Sequence, residues 1–144
     1  MQLRRITPQD WPWIQHWFED ERLNEELGPL DAAWLDHVLH ATDGVQLVGV
    51  EDGAPAALVG CVWSPEPGGL HGITDIAVRP AVRGTGLGRR ALAAVVGWDG
   101  HPPAAGWMAF VDHENDAAHA FFTALAWTYR GLDAEMHRFE LMAP

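Results

Sequence analysis

The chain has 144 residues, 48% of them hydrophobic, which suits one globular domain (1–144) with a real core and excludes a disordered chain. Nine arginines and no lysine stand against 20 acidic residues, a formal net charge of −11, so the basic face a nucleic-acid binder needs is missing. The lone cysteine, Cys61, excludes an internal disulfide, and no apolar run is long enough for a signal peptide or a membrane span, so a soluble cytoplasmic protein with no membrane partner is expected.

Residues 2–6 read as a first strand. Thr7-Pro8-Gln9-Asp10 then starts a helix, with a Thr N-cap, Pro at the first helical position and an acid at the third. Trp11, Ile14 and Phe18 form the expected core stripe, while Trp13 and Trp17 fall on another flank. Glu19 to Asp36 carries seven acids and a single cation, Arg22; Gly28-Pro29 breaks it, and Asp31 can cap a further helix. Val45–Glu51 and Ala54–Trp63 around Asp52-Gly53 form a hairpin, and Pro65-Glu66-Pro67-Gly68-Gly69 leads into a strand at 70–79. A helix, a strand at 104–111, a helix capped by Asn115, and strands at 127–131 and 135–141 complete the chain. This order implies an α/β architecture, a mixed sheet with helices on both faces.

The stretch that organises the chain is Ile73 to Val78, Arg79-Pro80, and then Arg83-Gly84-Thr85-Gly86-Leu87-Gly88-Arg89-Arg90. Pro80 must end the strand, and three alternating glycines let backbone N–H groups turn inward at the start of a helix. Orphan donors and the helix dipole make such a turn an anion site. A Walker loop needs a lysine, which the chain lacks, and a dinucleotide fingerprint needs glycine where Arg89 stands.

Arg83-x-x-Gly86-x-Gly88 after Val78-Arg79-Pro80 resembles the acyl-CoA signature of the GNAT superfamily of N-acetyltransferases. Asn115-Asp116-Ala117-Ala118, followed by Phe122 to Trp127, is similar to the family's Asn-x-x-Ala segment and its closing Tyr-x-x-x-Gly-Phe. The resemblance covers nearly the whole chain, strongest over residues 73–127. It implies a GNAT fold: a mixed, mostly antiparallel sheet of six to seven strands whose central strands splay to admit the pantetheine arm of acetyl-CoA. It implies that Ile76, Ala77 and Val78 hold the pantetheine amides and that Arg83, Gly84, Thr85, Gly86, Leu87, Gly88 and Arg89 hold the pyrophosphate. Asn115 and Phe122 would then border the arm. The implied activity is acetyl transfer to an amine by direct attack, without an acyl-enzyme, in a monomer or homodimer.

Two departures stand out. Phe122 occupies the place of the tyrosine that protonates the leaving thiolate in many relatives, and Ala126-Trp127 replaces Gly-Phe. Phe122 keeps open a second class, an acyl-CoA-binding or regulatory module with impaired catalysis. Other chemistries lack their residues. His113-Glu114 would need histidine at 117, where Ala117 stands; Ser64, the only serine, precedes a proline without a nucleophile elbow; and Schiff-base catalysis needs a lysine.

In the family the segment after the first strand covers the acceptor mouth. The expected acceptor is cationic, steered by Glu21, Glu25 or Asp31 and packed on Trp17; the bland alternative is a solvated acidic helix face. Ile73, Asp75 and Ala77 share one strand face, and Asp75 matches the acidic position three before the valine in several relatives. Burial raises a carboxylate's pKa toward working pH, so Asp75 is the expected general base, acting through one or two waters. The bland alternative is a carboxylate bonded to a neighbouring group.

Overall fold

The computed structural model describes residues 1–82 and 84–143. The elements are β1 (Gln2–Arg5), a 3₁₀ turn (Pro8–Asp10), α1 (Trp11–Trp17), α2 (Glu21–Leu27), α3 (Ala32–His40), β2 (Gly44–Glu51), β3 (Ala54–Val62) and β4 (Leu70–Val78). They continue through a second 3₁₀ turn (Pro80–Val82), α4 (Leu87–Val96), β5 (Gly106–Asp112), α5 (Asp116–Ala124), β6 (Thr128–Asp133) and β7 (Met136–Met142). The strands form one seven-stranded sheet in the order β1-β2-β3-β4-β5-β7-β6. Pairing is antiparallel for β1/β2, β5/β7 and β6/β7, and parallel for β4/β5, with register Leu70↔Gly106 to Ile73↔Ala109. No described helix is long and apolar enough to cross a membrane.

The chain divides into two compact units. The first comprises Met1–Cys61 and Asp75–Asp99. Its core gathers Ile6, Ile14, Trp17, Leu23, Val48, Leu58 and Ala77, with Trp11, Trp13, Trp34 and Val38 packed against them. The second comprises Val62–Thr74 and the chain from Gly100 onward. Phe139 is fully buried there, with Phe122 and Tyr129 rings 5.4 and 5.2 Å away. His71 is also buried in this unit. Its Nδ1 accepts from the Ser64 N–H (3.0 Å) and its Nε2 lies 2.7 Å from the Pro102 carbonyl, so the tautomer with the proton on Nε2 satisfies both bonds.

The first helical segment differs from the sequence expectation. The apolar spacing predicts one helix with Trp11, Ile14 and Phe18 on the core stripe; Ile14 is buried and Trp11 and Phe18 pack against the core, but α1 ends at Trp17 and Phe18 is its C-cap (ψ 4). Asp20 then turns extended and accepts from the Leu23 N–H (3.0 Å), starting the acidic stretch as a separate helix, α2. Ile14 and Trp17 are the buried residues of α1, and the Trp13 ring tilts against that of Trp17 at 4.6 Å.

Asp10 ties this entry together. Only 2% exposed, it accepts a two-pronged bond from Arg4 (2.7 and 2.8 Å), one from the Thr7 N–H (2.8 Å) and one from the Trp13 indole (2.8 Å). Burial pushes its carboxyl pKa up, but the Arg4, Thr7 and Trp13 bonds outweigh that and hold it at about 2, against an ordinary 3.8. A depressed carboxylate stabilises the fold above its unfolded pKa and loses that contribution as pH falls through the folded value. Asp10→Asn is therefore expected to cost on the order of 2 kcal/mol at neutral pH. It should also flatten the acid-unfolding curve between pH 3.8 and about 2, as followed by circular dichroism.

Candidate functional site

β4 carries the residues that meet the glycine turn. The Arg79 N–H still pairs with the Ala56 carbonyl (3.0 Å), and Pro80 then ends the ladder, as expected from its missing donor. Val82 N–H bonds back to the Arg79 carbonyl (3.1 Å), closing the 3₁₀ turn. Arg83 lies outside the described residues. Gly84 (φ +82) and Gly86 (φ +80, ψ 10) both adopt left-handed backbone, which explains glycine at each. A Cβ on Gly84 would meet no atom of the described residues beyond its chain neighbours within 4 Å. Gly86 is the N-cap of α4 and has no side chain to cap it, so among the described residues no N-cap side chain takes up the first N–H groups of the helix. This is a fit for a phosphate-bearing ligand made by backbone alone.

The side chains of the turn divide by role. The Leu87 side chain is buried, and the Thr85 hydroxyl donates to the Val82 carbonyl (2.7 Å). Arg89 is exposed, with no hydrogen bond or ion pair among the described residues. Arg90, which sequence reasoning does not assign, is engaged on two sides. Its Nε and Nη2 donate to the two Glu51 carboxylate oxygens (2.9 and 3.0 Å), and its Nη1 donates to the Thr85 carbonyl (3.2 Å).

On β4, Asp75 and Ala77 alternate with Ile76 and Val78 as the pleat requires, and Ala77 lies in the core with Ile14, Trp17 and Leu23. Asp75 is half-buried, and its Oδ2 accepts from the Gln46 amide (2.9 Å). Gln46, only 4% exposed, is unassigned by the sequence reading although it is a polar residue inside the apolar run of β2. Cys61 lies near the same carboxylate. Burial pushes its thiol up to about 12, with the Asp75 charge adding to the shift, so it is inert as a nucleophile.

In the second unit, Asn115 caps α5 through Oδ1, which accepts from the Ala118 N–H (3.1 Å). Phe122 is 5% exposed among Trp127, Phe121 and Phe139. The only tyrosine, Tyr129, is exposed and bonded through its hydroxyl to His137 Nδ1 (2.7 Å). Among the described residues no cluster of three His, Cys, Asp or Glu side chains could hold a metal.

The expected acceptor residues are not equivalent. Trp17 belongs to the core at 6% exposure, which corrects its placement off the core face. Asp31 caps α3 by accepting from the Trp34 N–H (2.9 Å). Glu21 and Glu25 are exposed on α2 with no ion pair among the described residues, whereas Glu26 is engaged by Arg22 (3.1 Å).

Residues 4–127 match the acetyltransferase (GNAT) family. No curated protein matches the chain. Among solved structures, an acetyltransferase from Thermus thermophilus is 20% identical with a TM-score of 0.81, over 99% of this chain and 96% of that one. NAA60 of Arabidopsis thaliana, in complex with acetyl-CoA, is 16% identical at 0.70, over 99% of both chains. The aminoglycoside acetyltransferase AAC(6')-Ib, in complex with coenzyme A and kanamycin, is 17% identical at 0.82, over 98% of this chain and 94% of that one. At these identities the likeness establishes the fold.

Proposed function

This chain belongs to the acetyltransferase (GNAT) family, and from that premise we propose that residues 1–144 act as one domain transferring an acetyl group from acetyl-CoA to a primary amine. The observation that carries the reading is the left-handed Gly84 and Gly86 turn opening α4, at the end of the strand that holds Asp75. Acetyl-CoA supplies a thioester carbonyl that a neutral amine attacks directly, forming the C–N bond as the C–S bond breaks and the thiolate leaves. The N–H groups of Gly84 to Arg89 bind the pyrophosphate, joined by the Arg83 and Arg89 guanidiniums. Backbone groups of Ile76, Ala77 and Val78 bind the pantetheine amides and offer an N–H to the negative charge on the carbonyl oxygen. Asp75, oriented by Gln46, takes the amine proton through water. With phenylalanine at 122, solvent protonates the thiolate.

One observation favours a second reading, a binding module that retains acetyl-CoA without turnover. Phe122 has no hydroxyl and is closed into an aromatic cluster. Thiol release from acetyl-CoA on adding an amine separates the two.

The acceptor is a cationic amine drawn by Glu21 and Glu25, whose charges have no cation of their own among the described residues. Asp31 contributes charge only, because one oxygen caps α3. With kanamycin or spermidine as acceptor, Glu21→Gln/Glu25→Gln is expected to raise KM several-fold at low salt with kcat unchanged, and added salt should erase the difference. A KM insensitive to both changes leaves α2 as a solvated acidic face.

A further inference from the structure

Gly84 and Gly86 give the turn its shape, but glycine loses the most conformational freedom on ordering. A turn that must hold several N–H groups on one anion binds weakly if it has to be ordered each time. Something other than the glycines has to fix it. Thr85, between them, is held from both sides. Its hydroxyl donates to the Val82 carbonyl, and its own carbonyl accepts from Arg90 Nη1 at 3.2 Å.

Arg90 lies one helical turn beyond Gly86, and a helical side chain leans back toward the N-terminus, which brings its guanidinium over the turn. The planar fork is oriented by Glu51, which accepts at 2.9 and 3.0 Å. Glu51 is the last residue of β2, just before the tight Asp52-Gly53 turn, and so sits on a rigid hairpin end. Nε, Nη1 and Nη2 of Arg90 each already have a protein acceptor, so the plane of the guanidinium is fixed without a ligand.

The charge of Glu51 sharpens the question. A carboxylate one guanidinium's width from an anion-binding turn repels the anion, so charge alone argues against having it there. We propose that Glu51 and Arg90 are positioning residues that brace the glycine turn in its pyrophosphate-binding shape, and that Arg90 is not itself a phosphate ligand. The inference rests on the reading of the turn as the pyrophosphate site.

The two roles of Glu51 predict opposite signs. As a brace, its removal weakens acetyl-CoA binding; as a bystander charge, its removal strengthens it. Calorimetry with acetyl-CoA on Glu51→Ala should show about tenfold weaker affinity, the equivalent of re-ordering roughly one residue's backbone on binding. The ligand-free melting temperature should stay nearly unchanged, because exposed ion pairs add little to stability. In an Arg90→Ala background the same Glu51→Ala change should no longer weaken binding, since the brace is already gone and only a repelling charge is removed. Equal or tighter binding by Glu51→Ala in an otherwise native chain overturns the brace, as does an equal loss in both backgrounds. Wild-type protein that gives no heat with acetyl-CoA contradicts the pyrophosphate-site reading itself, which is a different result.

Discussion

Replacing Gly86 with valine should abolish acetyl-CoA binding while the circular dichroism spectrum stays native. Gly86 holds φ +80, ψ 10, and a β-branched residue is a true outlier there. The protein itself has room for the side chain, because a Cβ would meet only Arg90 Nη1, at 3.5 Å. The damage is therefore local: the turn must rearrange, and the N–H groups at the start of α4 lose their common aim. Gly86 is exposed and α4 is anchored by buried Leu87, Ala91, Leu92 and Val95, so the helix itself should survive. Each hydrogen bond to a charged phosphate is worth about 1.5–3 kcal/mol, so losing two weakens binding by at least roughly 10²-fold. Wild-type affinity in a folded Gly86→Val protein would remove the turn from the site.

The second large effect is on turnover. Asp75→Asn keeps the size of the side chain and its capacity to accept from Gln46, but it cannot take a proton. Loss of a general base lowers kcat by roughly 10²-fold or more. Acetyl-CoA affinity should change little, which places the loss in the chemical step rather than in binding. A variant that folds, binds acetyl-CoA and keeps native turnover across the pH range would leave Asp75 with the bland role, a carboxylate satisfied by its neighbours.

What the sequence makes legible follows from local rules. Pro80 and the spaced glycines carry their backbone consequences wherever they occur, so the end of β4, the turn and the start of α4 are visible as a unit. The alternation placing Asp75 and Ala77 on one face is equally local. Trp17 is misplaced by the sequence pattern because the buried side of α1 is wider than the Trp11, Ile14 and Phe18 stripe: Trp17 and Phe18, three and four residues beyond Ile14, both meet the core. The partners of the site residues are not legible, for a different reason. Gln46 lies 29 residues from Asp75, and Glu51 lies 39 from Arg90. Such pairs are set by the sheet register and the helix position, which no local pattern specifies. The buried Gln46 in an apolar strand is still a signal, since an unpaired polar group there would be costly.

The measurement that bears most directly on the proposed activity is simultaneous detection of free thiol and N-acetylated product when the protein is mixed with acetyl-CoA and a panel of amines: spermidine, kanamycin and a peptide with a free N-terminus. The expected result is thiol released in equal amount to one acetylated amine, at a rate that depends on the amine. Tight acetyl-CoA binding with no thiol released above background by any amine would contradict transferase activity and identify the protein as a module that holds the donor without using it.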